Sequence, residues 1–169
     1  SEMADISAGI IDLHEIKLPL FDVGETPSDQ AAGVLTQLAQ ADAIVLVSPE
    51  WNGMMSHSIV NLMQYVDDQL ANKPVMLVGV SAGRNGHYPL AQMRQMGYKN
   101  NHFVISPENL IVQDCNAMLN NHDMSDDAVD SSVKKRADYG LKVLVEYAKA
   151  LQGVRDSGVF DRETFGNGV

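Results

Sequence analysis

Cysteine occurs once, at Cys115, in a chain of 169 residues. An internal disulfide is therefore excluded, and this usage suits a reducing, cytoplasmic compartment. Basic residues are also scarce. Twelve Lys and Arg stand against 22 Asp and Glu, for a net charge of -10 and a pI near 4.7. Binding a phosphate backbone needs a basic face, so the balance argues against nucleic acid as the main partner and disfavours an anionic membrane surface. An anion can still bind locally, through backbone N–H groups and helix ends. No apolar run approaches the roughly 20 residues that a membrane-spanning helix requires. Ser1 to Gly9 has neither the basic head nor the apolar block of a signal peptide. There is no internal repeat, no nucleophile elbow and no P-loop lysine motif. His122 and Asp123, with Asp126 and Asp127, lack any recognised ligand spacing. Helix capping accounts for those aspartates, and no metal site is expected.

What is present fits one domain with a real core: 45% hydrophobic and 20% charged residues. Gly9–Leu13 reads as a short strand, and Leu18–Asp22 as an irregular, proline-broken segment. A helix starts at Pro27-Ser28-Asp29, with Val34, Leu35, Leu38 and Ala41 at helical spacing. Ala43–Ser48 is a continuous apolar run, the pattern of a strand buried on both faces. Ser56 opens a helix with the stripe Ile59, Val60, Leu62, Met63 and Val66. Pro74–Val80 is a second buried strand, and Leu90–Met96 a short helix. Phe103–Ile105 and Leu110–Val112 look like strand pieces. Ser125 opens a last helix running to about Leu151, with Asp126, Asp127 and Asp130 near its positive end. Gly153–Val169 is a tail without periodicity. Strands alternating with helices imply an α/β fold, a mostly parallel sheet with helices on both faces. Ligands of such sheets bind beyond the carboxyl ends of the strands. Two unusual loops lie there: Pro49-Glu50-Trp51-Asn52-Gly53 and Ser81-Ala82-Gly83-Arg84-Asn85-Gly86-His87.

The first loop suits a flat ring edged with hydrogen-bonding atoms. A turn supplies free N–H groups, Asn52 and Gly53 tolerate unusual backbone angles, and Trp51 offers an aromatic face. Glu50 reads as a residue that orients the loop. Trp51 as a core aromatic is the bland alternative. Met54 and Met55 read as packing residues, His57 as a surface histidine, and Arg84 as a solvated side chain or a phosphate contact. His87 could line the pocket. Cys115 reads as a buried structural thiol.

Pro49-Glu50-Trp51-Asn52-Gly53 after an apolar strand resembles the flavin loop of the NAD(P)H-dependent FMN reductase family, which carries tyrosine where Trp51 stands. Ser81–Gly86 resembles the family's second loop, and Ile11–Asp22 its second strand and following loop. The resemblance covers residues 10 to about 150. It implies a flavodoxin-like doubly wound parallel sheet, with residues 1–152 as the FMN-binding domain and 153–169 as a C-terminal tail. It implies FMN bound by Pro49, Glu50, Trp51, Asn52 and Gly53, with Ser81, Gly83 and Gly86 bordering the pyrimidine end, and no side-chain acid or base. NADPH or NADH would be the co-substrate. Hydride would pass through the flavin to a small acceptor: a flavin, quinone, azo compound or metal ion. A homodimer or homotetramer is implied, with Ile59–Val66 and the tail as candidate contacts. The alternative is a flavodoxin-like electron carrier that does not itself oxidise NAD(P)H. One departure stands out. The family holds the FMN phosphate in a Gly-Ser-x-Arg loop after its first strand, and no such segment precedes Gly9. With Gly9–Leu13 as strand 2 and Ala43–Ser48 as strand 3 of the order 2-1-3-4-5, a strand is expected between them.

Overall fold

The computed structural model describes residues 6–96, 98–119 and 128–166. Among them run α1 (Leu13–Ile16), α2 (Asp29–Gln40), β1 (Ile44–Pro49), α3 (His57–Tyr65), β2 (Pro74–Val80), α4 (His87–Gln95), α5 (Tyr98–Asn101), β3 (Val104–Val112) and α6 (Ala128–Asp156). The strands form a parallel sheet in the order β1-β2-β3. Ile44, Leu46, Val75, Leu77, Ile105 and Ile111 face one layer, with α2, α3 and α4; Met76, Val78, Leu110 and Val112 face α6. Helices on both faces of a parallel sheet are the architecture that the alternation demands.

Side-chain caps set the helix starts. Ser28 Oγ accepts the Ala31 N–H at 3.3 Å, and Ser56 Oγ accepts that of Ser58 at 3.3 Å. At the end of α2, the buried Lys73 Nζ donates to the carbonyls of Leu38 (3.0 Å) and Ala39 (2.6 Å), satisfying groups the helix leaves open. Burial holds this lysine's pKa below its ordinary value, with Arg155 adding to the effect.

Four expectations need correction. Gly9–Leu13 is not a strand: residues 9–12 are irregular and α1 begins at Leu13. Asp12 decides this. Its carboxylate accepts the N–H groups of His14 (2.8 Å) and Glu15 (3.3 Å), a local capping bond that competes with extension. Second, β1 is buried on one face only. Val45 and Val47 point toward the α6 side yet stay 41% and 51% exposed, because α6 packs over β2 and β3. Third, the two late strand pieces are one strand, β3, whose pairing with β2 shifts register near Pro107. Fourth, α4 begins at His87 and α6 ends at Asp156, beyond the expected limits. The start expected at Ser125, with Asp126 and Asp127, lies outside the described residues, as do His122 and Asp123.

The segment before α2 is tied to α3 by Asn61. Its amide accepts the Phe21 N–H at 2.8 Å and donates to the Pro19 carbonyl at 2.7 Å, while the Phe21 ring meets Tyr65 edge-on. Of the α3 stripe, Ile59, Leu62 and Val66 are core residues, while Val60 and Met63 are only partly buried.

Asp130 anchors the start of α6. Its Oδ1 accepts the Leu119 N–H at 2.8 Å and its Oδ2 pairs with Lys134 at 2.5 Å. The backbone bond first, then Lys134, holds its carboxyl below the usual aspartate range. A carboxyl depressed in the folded state adds stability above the unfolded-state pKa, and that stability is lost as pH falls through the folded-state value. Asp130→Asn should therefore lower the urea midpoint at pH 7, and the gap from wild type should narrow as pH drops below about 4.

Candidate flavin site

Three strand ends meet at one edge of the sheet, and their loops build a rim. After β1 the chain turns sharply. Trp51 and Met54 exchange two backbone hydrogen bonds, 3.0 and 2.9 Å, around Asn52 (φ 51°) and Gly53 (φ 70°). Positive φ at both central residues is the type I′ turn that Asn-Gly favours. The N–H groups of Asn52 and Gly53 have no partner among the described residues. The Trp51 ring is 63% exposed, and Met54 beside it is exposed. Trp51 as a core aromatic is thereby excluded. Met55 does enter the core.

Three side chains lock this turn. Ser48, fully buried, accepts the Ser56 N–H through Oγ at 3.0 Å. Gln92 of α4 accepts the Met55 N–H at 2.6 Å. Glu50 reaches across to the second loop, where Oε2 accepts the N–H groups of Gly86 (2.7 Å) and Tyr88 (3.3 Å). Gly86 is the N-cap of α4 and has no side chain to cap with. The Glu50 carboxylate takes that place, and its charge lies at the helix's positive end, together worth about 1 kcal/mol. Glu50 thus has a positional role.

The second loop lies flat on the sheet. A Cβ on Gly79 of β2 would collide with the Gly86 carbonyl oxygen, and one on Gly86 (φ 108°) would come 2.8 Å from Ile111. Its carbonyls are held from below. Asp114 N–H donates to the Gly83 carbonyl at 2.9 Å, and the Gln113 amide donates to the carbonyls of Arg84 and Asn85. Ser81 is buried: its Oγ accepts the Gly83 N–H at 3.1 Å and its carbonyl accepts that of Cys115 at 3.1 Å. Arg84 and His87 are exposed, and His57 is exposed at the start of α3. Tyr88 was not singled out by the sequence. Its ring lies beside the Gly53 turn, 3.9 Å from where a Gly53 Cβ would be, and is exposed.

The arrangement fits the ring of FMN. Free N–H donors at 52 and 53 suit the acceptor edge of a flat heterocycle, and Trp51, Met54 and Tyr88 offer apolar faces beside them. The two loops contain Arg84 but no lysine and no cluster of cations. Nothing in them resembles a dianion cradle.

The model of a family described as NADPH-dependent FMN reductase matches residues 1–116. The chain belongs to the NADPH-dependent FMN reductase family. Among curated relatives, a NADPH azoreductase of Bacillus sp. (strain OY1-2) is 32% identical over 80 residues, 46% of this chain and 45% of that protein. The chain thus matches about half the length of that relative. An oxidoreductase from Corynebacterium diphtheriae superposes with a TM-score of 0.59 at 11% identity, over 74% of this chain and 65% of that one. A flavoenzyme NAD(P)H:(acceptor) oxidoreductase from Paracoccus denitrificans gives 0.56 at 18% identity, over 83% and 78%. These structures share the fold, which is flavodoxin-like, as expected.

Gly79→Ala in this family member should be costly despite its small size, because backbone must move to admit the methyl. The expected loss is about 2–3 kcal/mol in chemical denaturation. A loss within about 0.5 kcal/mol would mean that the second loop is free to lift off β2.

Proposed function

We propose that this chain is an FMN-dependent NAD(P)H oxidoreductase acting on a small acceptor such as a flavin, quinone, azo compound or metal ion. The observation that carries the reading is the type I′ turn at Asn52-Gly53. It presents two unpartnered N–H groups at the carboxyl edge of the sheet of a family member, beside an exposed tryptophan. Bound FMN supplies the hydride-accepting chemistry. The chain's part is to bind and orient. Backbone of Glu50 to Gly53 meets the ring edge, and the Trp51 side chain covers part of it. Ser81, Gly83 and Gly86 shape the far border, while Pro49 ends β1 and fixes the turn's departure. Hydride transfer to the flavin needs no side-chain acid or base, so none is assigned catalysis. NADPH or NADH docks over the exposed side of the ring, where Met54, Tyr88 and His87 are exposed.

The domain assignment belongs to the same proposal: residues 1–152 form the FMN-binding domain and 153–169 a tail. In the working protein β1 is then not an edge. A further parallel strand and helix lie against it, and the loop between them holds the phosphate. Support comes from β1 itself. Its free edge is regular and apolar, with Val45 and Val47 exposed on the face that α6 leaves bare. The opposite edge, β3, is blunted by Pro107 and a register shift. Soluble proteins protect edges as β3 does, not as β1 does. The single cysteine supports a cytoplasmic location, and among the described residues no helix is long and apolar enough to cross a membrane.

The test is anaerobic addition of NADPH to the FMN-loaded protein. A reductase loses its oxidised-flavin absorbance with NADPH alone, whereas an electron carrier keeps it until a separate reductase is supplied. In FMN titrations, Trp51→Ala should weaken binding by about 1–3 kcal/mol with stability unchanged. Gly53→Val should weaken it further, since a β-branched residue resists positive φ.

A further inference from the structure

Nine methionines occur in the chain. Met55, Met76 and Met93 are buried, at 8%, 2% and 2% exposure, and Met63 and Met118 pack against the two cores. Met3 and Met124 lie outside the described residues. Met54 is the most exposed of those described, at 52%, followed by Met96 at 37%. Met96 follows the last turn of α4, roughly 13 Å along that helix from the rim. Met54 is on the rim itself. Its backbone exchanges both hydrogen bonds of the turn with Trp51, and the next N–H, that of Met55, is held by Gln92. The thioether is thus carried on a fixed stretch of backbone. It fills no gap in the core, the usual employment of a methionine. It follows directly on the two open donors at Asn52 and Gly53, in a turn that also exposes Trp51.

We propose that Met54 is an oxidation site, converted by hydrogen peroxide to the sulfoxide, and that this change weakens flavin binding until the sulfoxide is reduced again. The inference rests on the flavin reading of this rim. Hydrogen peroxide is the product when O2 takes the electrons of a reduced flavin, so the oxidant arises beside Met54. In the step, a lone pair of the Met54 sulfur takes one oxygen of the peroxide. The O–O bond breaks, and the second oxygen leaves as water with both protons. Sulfur is oxidised and peroxide is reduced. A flexible apolar side chain becomes a polar one. The apolar surface that Met54 shares with Trp51 and Tyr88 then carries a strongly solvated S=O group, which must shed water when a ring covers it. The new oxygen is also a hydrogen-bond acceptor, next in sequence to the donors at 52 and 53. It competes with the ring edge for them. Methionine sulfoxide reductases reverse the change, so the rim is switched off and on by the redox state around it. Working without an acceptor other than O2, the site limits itself.

Graded hydrogen peroxide followed by peptide mass mapping tests the site. Met54 should gain one oxygen at doses that leave Met96 unmodified. Aerobic turnover with NADPH and FMN should mark Met54 ahead of Met96 as well. In FMN titrations the oxidised protein should show a dissociation constant at least about tenfold higher, and methionine sulfoxide reductases should restore it. Met54→Leu, which keeps Cys115 and every other methionine, should bind FMN equally before and after peroxide, whatever its starting affinity. Without FMN present, the amide resonances of Asn52 and Gly53 should move on oxidation. A protein that binds no FMN before oxidation speaks against the flavin reading, while the order of oxidation and these amide shifts still decide whether Met54 is the site. Oxidation of Met96 ahead of Met54 would overturn the proposal. So would a fully oxidised Met54 with unchanged FMN affinity, or an equal loss of affinity in Met54→Leu.

Discussion

The contact between Gly79 and Gly86 sets the form of the site. Only two glycines can bring the second loop's backbone down onto β2 this closely, and the carbonyl of Gly86 lies where any Cβ of residue 79 would be. That approach fixes the height and direction at which α4 begins. Once α4 is placed, Glu50 has an N-terminus to cap and Gln92 is in reach of the Met55 N–H. The first loop is thus shaped by the second. Its turn is held from three sides, while the two N–H groups at its tip are left open. Rigidity at the base and unmet donors at the tip are what a planar ligand's edge requires, because the donors need no reorganisation on binding.

Much of this was readable from residues. Asn52-Gly53 announces its turn by chemistry, since few other pairs accept positive φ twice in succession. The caps at Ser28 and Ser56, and the fully buried β2, follow from local pattern. Other features depend on tertiary placement. Asp12 turned an apolar pentapeptide into a helix cap, a choice between two local structures that periodicity cannot arbitrate. The apolar run of β1 reads as buried on both faces, but burial depends on which helix lies above, and α6 stops short of it. Ser48, Gln92 and Tyr88 carry no motif. Each matters through a partner eight residues or more away.

The sheet's two edges divide the molecule. At β3 a proline and a register shift discourage pairing, and α6 closes the face behind it. At β1 the ladder is regular and Val45 and Val47 are uncovered. The proposed flavin site lies at the carboxyl end shared by all three strands, so a strand beside β1 would bring its own following loop to the same rim. On the proposed reading these loops meet the flavin ring, and the anion-binding half is assigned to the open side. The acidity of the whole chain agrees with that division, since neither described loop offers more than Arg84 against a phosphate.

The central claim is that the tip of the first loop reads the flavin ring edge. Titrating FMN into uniformly nitrogen-labelled protein and following its amide resonances tests this most directly. The account predicts that the Asn52 and Gly53 amides and the Trp51 indole shift most, with smaller changes at Ser81 to Gly86 and none at the start of β2. Saturable FMN binding that leaves Asn52 and Gly53 unmoved would contradict it.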